Sequence, residues 1–277
     1  MLIESIMQLF IGVMFFLIGL CAGSFVNMLL YRKAVSYGLV KSRKLNVESQ
    51  KRSFCDFCGR QLHWYENIPV VSWVILRGKS SCCGRKLPVS YPLLEMGTGI
   101  LFLFNFEFLI MNYYSIYNIK FLIILIISLM IVTMLVFSAV FDAKYQILPD
   151  FSTGILTIMA ILLLVINKNN LLLYLLVALA ASGFLMVLHL VSKGKGMGMG
   201  DVKLAFFIGL LLGVRNTIVT FYLAFIIGAI VGIILLISKR IKRKSPIAFG
   251  PFLILGTIIS WYYGSKIVSI FNKIILK

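Results

Sequence analysis

Two aspartates carry the strongest chemical signal in the chain. Asp201 closes Gly198-Met199-Gly200-Asp201 and is followed by Val202-Lys203-Leu204, so a carboxylate stands behind a glycine run at the start of an apolar segment. Asp142 ends another apolar segment upstream. An aspartate at a membrane helix end is costly unless it is solvated, paired or functional. The field at a helix N-terminus favours negative charge, as at Asp201, and the field at a C-terminus disfavours it, as at Asp142. Two carboxylates in unlike environments make an acid/base pair that can activate water against a peptide carbonyl, and such a pair titrates as a unit. The residues point to an aspartyl protease working at or within a membrane face. The structural alternatives are a helix N-cap for Asp201 and, for Asp142, a solvated helix end or a pair with Lys144. Asp150, in Leu148-Pro149-Asp150, is a competing carboxylate, but its setting reads as a turn and cap opening the next helix. Gly198 and Gly200 would let the backbone approach an extended substrate, with Lys203 supporting the same loop.

Cysteines form the second constellation. Cys55-Asp56-Phe57-Cys58 is a C-x-x-C knuckle, and Cys82-Cys83 follow on the same polar stretch. A cytoplasmic compartment keeps thiols reduced, so metal ligation outranks disulfides, and zinc suits thiolates at this spacing. Adjacent cysteines need an unusual backbone to share one ion. Cys55, Cys58 and Cys83, with Cys82 or His63 as the fourth ligand, is the expected set. Cys21, mid-helix, reads as a small apolar filler. His189 reads as a satisfied interfacial residue, and Glu95, one turn into its segment, as a carboxylate that could face water. The run Gly194-Lys195-Gly196-Met197-Gly198-Met199-Gly200 is not a nucleotide loop: no strand precedes it and no G-K-[ST] ends it.

The elements that must hold these groups are membrane helices. The chain of 277 residues is 61% hydrophobic and 13% charged, about half the charge of a soluble domain. Eight apolar segments are expected, at about 5–30, 91–112, 119–141, 151–167, 171–191, 202–214, 216–238 and 251–271. They are continuous rather than alternating, which disfavours an outer-membrane barrel. Residues 202–214 rise only about 20 Å, short of a roughly 30 Å bilayer core. The net charge of +18 is concentrated: residues 31–88 hold 12 Lys/Arg against 3 Asp/Glu, and Lys239, Arg240, Lys242, Arg243 and Lys244 form another run. That placement fits cytoplasmic loops facing anionic lipid, and argues against a nucleic-acid partner. Residues 1–30 lack a basic start, so they read as a retained helix with its N-terminus outside. Both aspartates then fall at cytoplasmic helix ends. At about 60 residues, the loop 31–90 is too small to rely on an apolar core, and a metal would supply the missing stability.

These motifs, in this order, resemble the type IV prepilin peptidases, bifunctional leader peptidases and N-methyltransferases among the GxGD membrane aspartyl proteases. Gly23-Ser24-Phe25-Val26-Asn27 with Tyr31-Arg32 resembles the family's first helix end. Trp64-Tyr65-Glu66-Asn67-Ile68-Pro69-Val70-Val71-Ser72-Trp73, with Leu76-Arg77-Gly78, resembles its cytoplasmic loop, and Tyr91-Pro92-Leu93-Leu94-Glu95 its second helix entry. Phe141-Asp142, Leu148-Pro149-Asp150, Gly198-Met199-Gly200-Asp201-Val202-Lys203-Leu204 and Phe249-Gly250-Pro251-Phe252 resemble the peptidase half. The resemblance implies an all-α polytopic fold of about eight helices. The first helix would span 1–30, a cysteine-containing, methyltransferase-associated loop domain 31–90, the second helix 91–118 and a six-helix peptidase domain 119–277. It implies catalytic Asp142 and Asp201, prepilin or pseudopilin precursors as substrates, S-adenosyl-L-methionine as methyl donor, and the bacterial cytoplasmic membrane with the active site facing the cytoplasm. One departure stands out: the family often carries two C-x-x-C pairs, and Ser80 aligns here with the third cysteine. A peptidase without methyl transfer is the nearest alternative. A transporter using paired carboxylates as an ion path is a distant one, without internal repeats to support it.

Overall fold

The computed structural model describes residues 2–40, 53–55, 57–112, 118–194, 196–238 and 247–275. The basic run 239–244 and Lys195 of the glycine run lie outside the described residues. The helices are α1 (Leu2–Ser36), α2 (Val71–Ile75), α3 (Ser90–Asn112), α4 (Ile119–Tyr145), α5 (Asp150–Ile166), α6 (Leu171–Val191), α7 (Met199–Ile237) and α8 (Gly250–Ile275). Among the described residues there is no strand, only the isolated bridges Phe54–Gln61 and Lys79–Lys86.

Six of these helices (α1, α3, α4, α6, α7 and α8) are long and apolar enough to cross a membrane, and α5 is apolar but shorter. The protein is an all-α, multi-pass membrane protein. Helix α7, 39 residues long, breaks at Gly213, where φ is 67° and ψ −176°. An L-residue is strained at that φ, and a Cβ there would also press on the Tyr174 ring at 3.1 Å. The break divides α7 into the two segments expected at 202–214 and 216–238, which brings the membrane helices to about eight. Its first arm begins at Met199, three residues before the apolar run.

The chain divides into two compact units, Met1–Phe137 and Ser138–Lys277. In the first, α1 and α3 pack closely because three positions lack side chains. A Cβ on Gly19 would lie 2.7 Å from the Cα of Gly99, and one on Gly23 would lie 2.6 Å from the Cα of Glu95. Small residues four apart let membrane helices approach to backbone contact. Val26, Leu30, Phe102 and Phe106 fill the seam, and Asn105 donates to Ser128 on α4 at 2.7 Å. In the second unit α7 is central. Gly209 lies against the Ala178 backbone of α6, and Gly256 of α8 against the Thr220 carbonyl of α7, each too close for a Cβ. Ser138 on α4 donates to Ser152 on α5 at 3.0 Å.

Candidate active site and cysteine cluster

Asp142 and Asp201 line one cavity of about 330 Å³ in the second unit. Both are buried, and Asp201 lies close enough to Asp142 to feel its charge. Asp201 is not the N-cap. Gly198 is, and Asp201 is the third helical residue of α7, its Oδ2 accepting the Gly198 N–H at 3.0 Å. This closes the helix start from within, one half of a capping box.

Asp142, one turn before the end of α4, accepts the Gly250 N–H at the start of α8 at 3.1 Å. The start of a helix carries a positive partial charge, so α8 offsets the unfavourable end of α4. The two carboxylates therefore stand in similar fields, both against helix N-termini, rather than the opposite fields expected from α4 and α7 alone.

Glycines make this arrangement possible. A Cβ on Gly250 would sit 2.5 Å from Asp142 Oδ2, and one on Gly200 would sit 2.6 Å from Leu148 Cβ. Leu148, buried in the turn between α4 and α5, packs against both glycines. His189 fixes the far side of the glycine run: its Nδ1 lies 2.7 Å from the Met197 carbonyl oxygen. Gly250, Leu148 and His189 escaped the sequence reading as site residues. The Phe249-Gly250-Pro251-Phe252 motif includes Gly250, but nothing local ties this helix-start glycine to a carboxylate 108 residues away.

Asp150 is the first residue of α5, with Pro149 as N-cap, and it is not among the residues lining the cavity. Its Oδ1 pairs with Lys203 Nζ at 2.5 Å on an exposed face. Lys203 therefore links the start of α7 to the start of α5.

The first unit holds the cysteines in two matching knuckles. In one, the Cys55 N–H donates to Arg60 O and the Gly59 N–H to Cys55 O, both at 2.9 Å. In the other, the Ser80 N–H donates to Arg85 O at 2.8 Å and the Gly84 N–H to Ser80 O at 2.9 Å. Gly59 (φ 76°) and Gly84 (φ 65°) turn each loop. Ser80 thus takes the place of Cys55, and Cys83 that of Cys58.

Cys82 restores a fourth sulfur. The Sγ atoms of Cys55, Cys58, Cys82 and Cys83 all lie within 4.8 Å of one another, with Cys55–Cys83 at 3.8 Å and Cys58–Cys82 at 3.1 Å. Tetrahedral zinc–thiolate bonds of about 2.3 Å set sulfurs about 3.8 Å apart, so this donor set fits one zinc ion. His63 instead stacks on Tyr65, and Cys21 is exposed on α1 rather than filling a core.

Burial pushes the Cys55 thiol up, but hydrogen bonds from the Ser80 hydroxyl and the Cys58 and Phe57 amides outweigh it and hold it at about 6. At Cys82 the Ser80 hydrogen bond pulls down, yet Cys58, burial and Cys55 together push it to about 11. Crowded thiols resist ionising together unless a cation joins them. Glu66 staples the knuckles: it accepts the His63 N–H at 2.6 Å, pairs with Arg60 at 2.7 Å and accepts the Ser81 hydroxyl.

Glu95 does not face water. It is buried, and its Oε2 accepts the Val70 N–H at 2.7 Å.

Residues 17–108 match the model of the bacterial peptidase A24 N-terminal domain, and residues 129–233 that of the type IV leader peptidase family. A protein of Bacillus subtilis named prepilin leader peptidase/N-methyltransferase is 30% identical over 228 residues, covering 81% of this chain and 87% of its own. This chain belongs to the type IV leader peptidase family. Two other relatives bear the same name. That of Dichelobacter nodosus is 27% identical and covers 98% of this chain and 99% of its own. That of Pseudomonas aeruginosa is 29% identical over 91% and 90%. No solved structure matches the chain. Of the two matched segments of this leader peptidase family member, the first includes the cysteines and Glu95, and the second includes Asp142 and Asp201.

Proposed function

We propose that the chain is a membrane aspartyl endopeptidase that removes the basic leader from type IV prepilin-like precursors and N-methylates the residue thereby exposed. The observation that carries the peptidase reading is the pair of buried carboxylates facing one cavity, each held by a single helix-start amide. A water between them attacks the scissile carbonyl. One carboxylate takes the proton of that water, while the other, protonated, gives its proton to the carbonyl oxygen. As the tetrahedral carbon collapses, a proton passes to the leaving nitrogen and the C–N bond breaks. Gly198 and Gly200 leave the cavity rim open to an extended peptide, and Lys203, paired with Asp150, steadies it.

The second activity belongs with the loop domain and its adjoining helices. S-adenosylmethionine, when bound, supplies the methyl group. Cys55, Cys58, Cys82 and Cys83 would hold zinc, which would cross-link the two knuckles and stabilise a domain with little apolar core. The domain limits 31–90 and 119–277 follow that division of labour. The helices belong in the bacterial cytoplasmic membrane, with both sites on the cytoplasmic side.

Co-expression with a prepilin-like precursor tests the reading. The expected product has lost its leader and carries one added methyl on its new N-terminal nitrogen. Uncleaved precursor would reject the peptidase reading, and a cleaved but unmethylated product would reject the methyl-transfer half.

A further inference from the structure

A second cavity, of about 200 Å³, lies in the first unit where the end of α1, the loop and the start of α3 meet. Its features are not those of packing alone. Glu95, 8% exposed, lies against it, and the close approach of Gly23 to the Glu95 backbone brings the α1 residues Ser24 and Asn27 alongside. The Trp73 indole lines the same cavity, and its Nε1 is buried with no hydrogen-bond partner. A buried donor left unpaired costs free energy comparable to a lost hydrogen bond, a cost that a ligand acceptor reaching the Trp73 N–H would recover. Tyr31 and Tyr91 add aromatic faces.

The backbone beside the cavity is strained. Val70 has φ 60° and ψ −51°, and the Val71 N–H returns to the Pro69 carbonyl at 2.5 Å, a γ-turn of the rare positive-φ kind. A β-branched residue is a genuine outlier there. The Glu95 carboxylate holds this turn through the Val70 N–H. Such strain persists only where its surroundings over-determine it, and it gathers at ligand sites.

We propose that this cavity is the binding site for the methyl donor, a sulfonium nucleoside. This rests on the methyl-transfer half of the proposed function. The donor combines a flat purine, a permanent cation and hydrogen-bond acceptors. Aromatic faces receive the purine and attract the cation, Glu95 supplies the countercharge, and the Trp73 N–H gives its unspent hydrogen bond to an acceptor of the ligand. In the transfer, the substrate amine's lone pair forms the N–C bond as the C–S pair leaves with sulfur, and the amine gives up one proton.

The test measures binding by the purified full-length protein in lipid nanodiscs. Titration of S-adenosylhomocysteine and of S-adenosylmethionine compares wild type with Glu95→Gln, which keeps an acceptor for Val70, and Trp73→Phe, which keeps the ring. Glu95→Gln is expected to weaken S-adenosylmethionine by about tenfold or more, and the uncharged thioether by less, because only the sulfonium carries the central charge. Trp73→Phe is expected to weaken both by about fivefold. Ultraviolet cross-linking of methyl-labelled S-adenosylmethionine places the site without any variant: label on peptides bearing Trp73, Tyr31 or Tyr91 supports it. Label confined to residues 138–277, or unchanged affinity in both variants, overturns the site while leaving methyl transfer standing. Binding of a mature pilin N-terminal peptide in this cavity, with the donor bound undisturbed, would make it the acceptor's site and also overturn the proposal. A wild-type protein that neither binds the donor nor methylates would remove the underlying reading, and this inference with it.

Discussion

The carboxylate cavity and the cysteine-bearing loop solve the same problem, holding polar chemistry beside apolar helices, with different materials. In the second unit, helix starts do the work. Gly198 and Gly250 present one amide each to Asp201 and Asp142, and the absence of a Cβ on Gly200 and Gly250 lets the elements meet. In the first unit, side chains and turns do it. Glu66 staples two knuckles, Glu95 pins a strained γ-turn, and four thiols crowd within 4.8 Å. The carboxylate site is built from protein atoms alone, whereas the knuckles hold a donor set that a metal ion would complete.

Short of removing an aspartate itself, the largest effect should come from Gly250 in the second unit. Gly250→Ala puts a methyl carbon 2.5 Å from Asp142 Oδ2, too close without a shift of the carboxylate, and displacement of a reacting group by about 1 Å can cost about 10²-fold. Cleavage of a precursor should fall by about that factor, while methylation of an already mature pilin is retained. Loss of both activities together would show a folding defect and break the division between the two units.

Metal removal should act on the other side. A strong chelator should strip one zinc per chain and lower the thermal stability of the loop, because metal binding free energy is folding free energy in small sites. Cys58→Ser should do the same, and Ser80→Cys should make zinc harder to strip by restoring the second C-x-x-C. Metal analysis and proteolysis of the loop measure both. A protein with no zinc and an equally resistant loop would contradict the four-thiol reading.

Much of this was legible because it is local. Long apolar runs give helices with few alternatives, and Gly198-Met199-Gly200-Asp201 places its own carboxylate. Three things were not local. The partner of Asp142 is a backbone amide on α8, so the helix-field asymmetry inferred for the two aspartates vanished once α8 was in place. Glu95 looked like a residue near water because its helix turn was visible, but Val70 and the Gly23 approach were not. The alignment of Ser80 with a missing third cysteine was legible, but the fold of the knuckles that brings Cys82 within 4.8 Å of the other three sulfurs was not.

A smaller effect is expected at the edge of the carboxylate site. Lys203→Met and Asp150→Asn each remove one exposed ion pair, worth about 1 kcal/mol or less. Each should slow cleavage only a few-fold, and the double variant should be no worse than either alone. Independent effects would mean that Lys203 or Asp150 contacts substrate directly. The smallest effect is acid-dependent. Burial pushes Glu66 up, but the Ser81 hydroxyl, the His63 amide and Arg60 outweigh it and hold its carboxyl below the ordinary value of 4.5. A depressed carboxylate stabilises the fold above that ordinary value, and the contribution is lost as pH falls below it. Loop protection against proteolysis should therefore weaken as pH drops below about 4.5, and Glu66→Gln should remove that acid step.

In the proposed mechanism Asp142 and Asp201 share the proteolytic water. The measurement is the mass of a prepilin-like precursor co-expressed with wild type, Asp142→Ala and Asp201→Ala, each verified as folded in the membrane. Wild type is expected to remove the leader, and both variants to lose about 10³-fold or more of that activity. Cleavage that survives Asp142→Ala but is lost in Asp150→Ala would move the first carboxylate to the Leu148-Pro149-Asp150 turn, and cleavage that survives every aspartate variant would contradict the aspartyl mechanism.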